Sequence, residues 1–208
     1  MRIASLLVLG LALAAVPAVA QTVYSNGPIN GNTDAWTINF GFIVSDTFNV
    51  VNSGTTITGG SFGIFLLPGD ILESGELSIT SSENSGTTYF DQTVDFTTES
   101  CQVNQYGFNI CRDNTTFNGP TLNAGTYWLN LQNGVTNSGD PVYWDENSGP
   151  SMASENTIGS IPSESFTVLG TSSTTTSTTS TTTSVPEPSS ILLLGSGILG
   201  LAGFVRRR

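Results

Sequence analysis

The stretch WTINFGFIVSDTFNV, residues 36–50, alternates between apolar and polar side chains. Its even-numbered positions are all apolar except Asp46, and its odd-numbered positions are mostly Thr, Asn, Gly and Ser. A period of two residues is typical of a β-strand with one buried face. The stretch therefore predicts a strand or a pair of strands, with a bend or bulge at Ser45 and Asp46 where the alternation is interrupted.

The rest of residues 21–170 continues this pattern. Residues 57–67 predict a strand with apolar side chains on both faces, which ends at the turn Pro68-Gly69-Asp70. Further strands are predicted around Leu77 and Ile79, before a turn at 81–86, and over residues 89–97, 108–111, 126–132, 142–144 and 165–169. Short strands separated by Gly, Asn and Pro turns favour an all-β antiparallel sandwich or jelly roll.

Residues 21–170, which we call the body, are strongly acidic. Of the chain's 16 Asp and Glu residues only Glu187 lies outside the body, and Arg112 is the body's only base, so that its net charge is −14. Proteins bind nucleic acids by neutralising phosphates with Lys and Arg, so this composition excludes a nucleic-acid partner. The acidity is explained either by cation binding and avoidance of unwanted adhesion, or by solubility alone.

The body lacks the residues of most catalytic sites. The chain has no histidine and no lysine, which excludes Ser-His-Asp and Cys-His arrangements and Schiff-base chemistry. We expect no catalytic residues and no cofactor. Carboxylates remain, and a glycoside hydrolase using a pair from Asp140, Asp145, Glu146 and Glu155 is the alternative. Asp145, Glu146 and Asn147 are also candidate oxygen ligands for Ca²⁺.

Cys101 and Cys111 are the only cysteines of the chain. In an exported protein, two cysteines at this spacing predict a disulfide. The bond is expected to link the strands of a hairpin that turns through Gln105-Tyr106-Gly107. A zinc site is not expected, because two thiolates without histidine are too few ligands.

Two segments place aromatic side chains beside amides. Trp128, Asn130 and Gln132 share one face of a predicted strand, and Tyr143 and Trp144 follow downstream. Flat aromatic rings flanked by amides suit sugar rings, so these five residues are a candidate glycan-binding surface. In the alternative interpretation, Trp128 packs against the second sheet and Trp144 fills the edge of the core.

The N-terminal segment predicts export. A basic start is followed by apolar residues 3–16 and by Ala18-Val19-Ala20, the pattern of a secretory signal peptide over residues 1–20 that signal peptidase cleaves after export by the Sec machinery. Residues 171–184 consist only of Ser and Thr and predict a disordered linker. This linker is either O-glycosylated or a bare flexible stalk.

Residues 185–208 have three parts in a fixed order. The motif Val185-Pro186-Glu187-Pro188-Ser189 precedes an apolar span over residues 191–205 and the terminal residues Arg206, Arg207 and Arg208. The two prolines favour an extended peptide, and as a helix the span would cover about 22 Å, less than the roughly 30 Å of a bilayer core. The arginines favour the cytoplasmic side. An ordinary C-terminal anchor is the alternative interpretation.

This tail resembles the PEP-CTERM sorting signal of Gram-negative bacteria. The resemblance implies processing by exosortase, a membrane-embedded protease-transpeptidase, after transient residence in the inner membrane. It also implies a role at the cell surface or in the extracellular matrix, with exopolysaccharide as the expected partner. The expected function is therefore an exported surface or matrix protein with a glycan-binding body; the alternatives are a secreted glycoside hydrolase and a structural coat protein without ligand.

Overall fold

The computed structural model describes residues 20–32 and 34–172. The predicted signal helix, the predicted linker from residue 173 onward and the helix predicted for the C-terminal tail lie outside the described residues. Within the described part of the chain, no helix has the length and hydropathy needed to cross a membrane.

The described residues form fourteen strands. In chain order they are β1 (Gln21–Ser25), β2 (Ala35–Thr37), β3 (Ile43–Val50), β4 (Thr55–Leu66), β5 (Leu72–Ser82), β6 (Ser85–Asp95), β7 (Thr97–Val103), β8 (Asn109–Thr116), β9 (Thr121–Leu122), β10 (Gly125–Thr136), β11 (Tyr143–Asp145), β12 (Ala153–Glu155), β13 (Gly159–Ile161) and β14 (Phe166–Ser172). The pairings between these strands are all antiparallel. The predicted all-β antiparallel fold is confirmed.

The strands form two sheets. The eight-stranded sheet has the order β1-β14-β4-β11-β2, with β8 and β9 also pairing with β4, and β7 pairing with β8. The six-stranded sheet has the order β13-β12-β3-β10-β5-β6. The long strands β4 and β10 each pair on both sides, so they hold the centre of their sheets.

One cluster of buried apolar side chains joins the inner faces of both sheets. The six-stranded sheet contributes Phe48 and Leu129, and the eight-stranded sheet contributes Ile64. Trp144 is fully buried, and its ring meets those of Phe62 and Phe166 edge to face at 5.6 and 5.5 Å between centroids. Such aromatic pairs add to the stability that apolar burial provides.

The bend predicted at Ser45 and Asp46 was placed wrongly. The chain turns instead at Phe40 and Gly41, which have φ values of 57° and 90°, and β3 continues without interruption through residues 45 and 46. The turn also exposes Phe40. Asp46 lies on the buried face of β3 with 0% exposure, where its carboxylate accepts the backbone N–H groups of Thr47 and Glu164 at 2.6 and 2.7 Å.

The strands bear on two local predictions, the disulfide hairpin and the start of the linker. Cys101 and Cys111 form a disulfide across paired positions of β7 and β8, with their Cα atoms 4.0 Å apart, which confirms the predicted hairpin. Gly107, in the turn of this hairpin, has a φ of 86°, a conformation that favours glycine.

Strand β14 includes Thr171 and Ser172, the first two residues of the predicted linker, which pair with Thr56 and Thr55 of β4.

Candidate functional site

The five residues of the predicted glycan-binding surface are divided between the sheets. Trp128, Asn130 and Gln132 lie on β10 of the six-stranded sheet, whereas Tyr143 and Trp144 lie on β11 of the eight-stranded sheet. The sheets meet through their inner faces, and Trp144 lies in the core between them. The structure therefore does not bring these residues together on one surface.

Two of the five side chains are not accessible to a ligand. Trp144 has 0% exposure and donates its indole N–H to the carbonyl of Ser165 at 3.0 Å. Asn130 has 1% exposure and donates to the hydroxyls of Ser78 and Thr80 at 3.0 and 3.1 Å. The assignment of these two residues to a ligand-binding surface is corrected, because both are packed and hydrogen-bonded inside the protein.

The other three side chains are half-buried. Trp128 faces the outside of the six-stranded sheet, in register with Thr47 and Thr80. The Gln132 amide donates to the carboxylate of Glu76 at 2.6 Å. The ring of Tyr143 packs against Phe108, 6.1 Å away between centroids.

Two of the acids considered for a catalytic pair make structural hydrogen bonds. Asp145 has 0% exposure and accepts the backbone N–H groups of Asn30 and Gly31 at 2.7 and 2.8 Å. Glu155 has 2% exposure and accepts the hydroxyl of Thr157 at 2.6 Å. Asp145 therefore holds a loop, and Glu155 is bound within its own turn.

The candidate calcium ligands have different partners. Asp145 holds Asn30 and Gly31, while Glu146 accepts the indole N–H of Trp36 at 3.1 Å. The Asn147 amide donates to the carbonyl of Asn26 at 2.9 Å. Among residues 20–32 and 34–172, no three Asp, Glu or Cys residues are grouped so as to hold a metal ion. The structure therefore does not support calcium binding by these residues.

A cluster of buried carboxyl groups includes Asp145 and lies beside residues 146 and 147. Burial raises the pKa of Asp46 to about 7 and that of Asp145 to about 6. The pKa of Glu164, which has 0% exposure, is raised well above its usual range, first by burial and then by the nearby charges of Asp46 and Glu146. Neither oxygen of Glu164 has a hydrogen-bond partner among the described residues. Burial therefore shifts the protonation of these three groups toward the neutral form.

A groove lies on the outer side of the eight-stranded sheet, between the loop 28–32 and the β7–β8 hairpin. Its volume is about 330 Å³. The lining residues are Pro28, Ile29, Asn30, Gly31, Asn32, Ser100, Gln102, Val103, Asn104, Ile110 and Arg112. Arg112, the only base of the body, therefore lies in a concave surface.

The loop 28–32 is held against the sheet by contacts on both sides. Asp145 accepts two of its N–H groups, and the Asn104 amide donates to the Gly31 carbonyl at 3.1 Å. The loop approaches β4 closely at Gly63, where an added Cβ would lie 3.0 Å from the side chain of Ile29. Glycine at position 63 therefore makes room for the loop.

A second concave surface adjoins the first. It has a volume of about 550 Å³ and is lined by residues 25–30 and 147–150. The two surfaces share Pro28, Ile29 and Asn30, so the same loop separates and lines both.

The comparison with family models concerns the C-terminal tail. Residues 184–208 match the model described as the PEP-CTERM protein-sorting motif. The chain carries a PEP-CTERM sorting tail. The match includes the predicted motif residues Val185 to Ser189 and the terminal arginines, so the predicted recognition is confirmed. No curated protein matches the chain significantly.

The PEP-CTERM tail supports a coarse assignment of function. It supports an exported protein whose membrane-anchored precursor is sorted to the cell surface by exosortase, and the structure adds that the body is β-rich. The match covers the tail alone, so it assigns no ligand to the body.

The groove beside Arg112 was not predicted from the sequence. The one available signal was that Arg112 is the only base among residues 21–172. The groove joins segments about 80 residues apart, and nothing in the local pattern of either segment predicts that they meet.

Proposed function

We propose that the chain is the precursor of a cell-surface or matrix protein whose body binds saccharide without cleaving it. The match of residues 184–208 to the PEP-CTERM motif carries the sorting part of the proposal, and the lining of the two concave surfaces supports the saccharide part. In this proposal, exosortase releases the exported body from the inner membrane, and the body then acts as a binding module.

The contacts of the acidic residues favour a non-catalytic body. A glycoside hydrolase needs two carboxyl groups that flank the bound sugar. Asp145 and Glu155 are buried and hydrogen-bonded to the backbone, and the half-buried Glu146 accepts from Trp36. Such hydrogen bonds are typical of carboxylates with a structural role.

The lining of the two concave surfaces favours a saccharide as the ligand. Both surfaces combine amide groups with apolar side chains, such as Asn32 and Gln102 beside Pro28 and Val103 in the first. Amides both donate and accept hydrogen bonds, as sugar hydroxyls do, and apolar side chains suit the C–H faces of sugar rings.

Cell fractionation tests the sorting step. Replacing Pro186 and Pro188 with alanine removes the fixed φ angles that keep the motif extended. We expect this variant to accumulate in the inner-membrane fraction of the native host, while the unchanged protein reaches the surface or the medium. Pro162→Ala, at an exposed position of the body outside both concave surfaces, is the matched control and should behave as the unchanged protein. Equal distribution of all three proteins would contradict the proposal.

A further inference from the structure

We propose that the groove between the loop 28–32 and the β7–β8 hairpin binds a sparsely charged acidic saccharide, with Arg112 recognising its carboxylate. This inference rests on the proposed saccharide ligand and assigns it a site and a chemical class.

The guanidinium of Arg112 has N–H donors that no described residue uses. Its Nη1 donates to the hydroxyl of Ser61 at 3.3 Å, and its Nε lies 3.9 Å from Glu99, beyond hydrogen-bond distance. No other described acceptor is bonded to this side chain, which is 41% exposed. A guanidinium presents a planar set of N–H groups that matches the two oxygens of a carboxylate. Arg112 can therefore bind a carboxylate that enters the groove.

The neighbouring side chains suit a sugar ring better than a peptide or a simple anion. Gln102 is exposed and makes no side-chain hydrogen bond within the described residues, so its amide can serve a hydroxyl. Pro28 is exposed and offers an apolar contact from the facing loop. The groove volume of about 330 Å³ lies at the small end of ligand sites, which suits a few sugar units.

The groove needs little rearrangement to accept a ligand. Asp145 and Asn104 hold the loop 28–32 from opposite sides, and Gly31 packs so closely on Ile110 that an added Cβ would lie 3.3 Å away. Binding to a surface that is already formed avoids the cost of ordering a loop.

The charge of the body restricts the ligand further. The body carries fifteen acids and a single base, so a densely charged anionic polymer would be repelled along most of its length. A saccharide with carboxylates separated by neutral units can place one of them at Arg112 and keep the others apart from the acidic surface. The inferred ligand is therefore a uronic acid within a mostly neutral saccharide.

Calorimetric titration of the full chain in non-ionic detergent tests this inference. The probe is a hyaluronan tetrasaccharide, in which uronic acids alternate with neutral sugars, and its methyl ester lacks the carboxylate charge. We expect the ester to bind about tenfold more weakly or worse, since hydrogen bonds to charged groups are the stronger ones. Arg112→Gln should show a similar loss, and Arg112→Lys should be intermediate because it keeps the charge without the planar donor set.

Glu99→Gln provides the matched control. It removes the carboxylate nearest to Arg112, so binding of the acid form should become tighter by a few-fold. Thermal unfolding of each variant shows that the fold is intact, and the Lys variant tests the site even if the Gln variant proves unstable. Equal affinity for acid and ester, unchanged binding by both Arg112 variants, or equal binding of a short peptide with a free C-terminal carboxylate would overturn the inference.

The outcomes separate this inference from the proposed function. If neutral chitotetraose binds as tightly as the acidic probe and the Arg112 variants bind as the unchanged protein does, the acidic ligand is refuted while saccharide binding stands. If no saccharide binds, both the inference and the proposed ligand class fail.

Discussion

Asp46 is the only polar residue on the apolar face of residues 36–50, and it is fully buried. Its carboxylate binds the backbone of Thr47 and Glu164, which links β3 to the segment before β14. Asp46, Asp113, Asp145 and Glu164 all have raised pKa values, because burial disfavours their charged forms. Asp46, which interrupts the sequence pattern, is thus part of a buried acid cluster with Asp145 and Glu164 and does not form a bend.

The raised pKa values predict a stability that falls as the pH rises. Between about pH 4 and pH 7 the folded chain binds more protons than the unfolded chain, because Asp46 titrates near 7 when folded and near 4 when unfolded. The stabilising effect is complete below the unfolded value and is lost as the pH passes the folded value. We expect the free energy of unfolding, measured by urea titration, to drop by a few kcal/mol, on the order of 3, from pH 4 to pH 8.

Glu164→Gln tests the origin of this slope. The amide needs no proton to stay neutral, so the variant should be more stable than the unchanged protein at pH 8, on the order of 1–3 kcal/mol, and similar at pH 4. Glu73→Gln, at an exposed position, is the control and should keep the original slope. A slope that is the same in all three proteins would refute the role of Glu164.

Asp145 is predicted to hold the loop 28–32. In Asp145→Asn one of the two loop N–H groups would face an amide N–H group instead of an oxygen, since the native carboxylate accepts from both Asn30 and Gly31. We expect a loss of about 1–3 kcal/mol in unfolding free energy and faster hydrogen exchange at the amides of Asn30 and Gly31. Asp140→Asn, on a half-buried neighbour in sequence, should change neither quantity. Unchanged exchange at residues 30 and 31 in the Asp145 variant would show that other contacts hold the loop.

At the scale of single elements, the strands with regular apolar patterns were predictable. The patterns around residues 57–67 and 126–132 correspond to β4 and β10, whose apolar residues Phe62, Ile64 and Leu129 are buried. Strand β1 was missed because its side chains are mostly polar and exposed, so that pairing with β14, and not local pattern, makes it a strand. The turn at Phe40 was missed because a phenylalanine rarely adopts a positive φ.

The disulfide stabilises the hairpin of β7 and β8. Its cysteines are separated by 10 residues, for which the loss of chain entropy in the unfolded state corresponds to about 3 kcal/mol. Replacing both cysteines with alanine should lower the unfolding free energy by up to about that amount, as measured by denaturant titration. Adding a reductant should destabilise the unchanged protein and leave the variant unaffected. Equal sensitivity to reductant in both proteins would contradict this assignment.

At the scale of the whole molecule, the sorting tail was predictable and the groove was not. The tail is a contiguous motif, so 25 residues contain the whole signal, and the family match at 184–208 agrees. The groove depends on the pairing of β4 with β8, which brings Arg112 opposite Gly63, and on the loop that Gly63 admits. Contacts between segments so far apart follow from the sheet order, which the alternation of side chains does not specify.

The most direct test of the account is the intact mass of the protein purified from its native host. Removal of residues 1–20 and cleavage in the tail should leave a chain that begins at Gln21 and lacks Arg206, Arg207 and Arg208, and a host without exosortase should yield a chain that retains these arginines. Recovery of the arginine-containing chain from a host with active exosortase would contradict the proposal that this protein is processed and released.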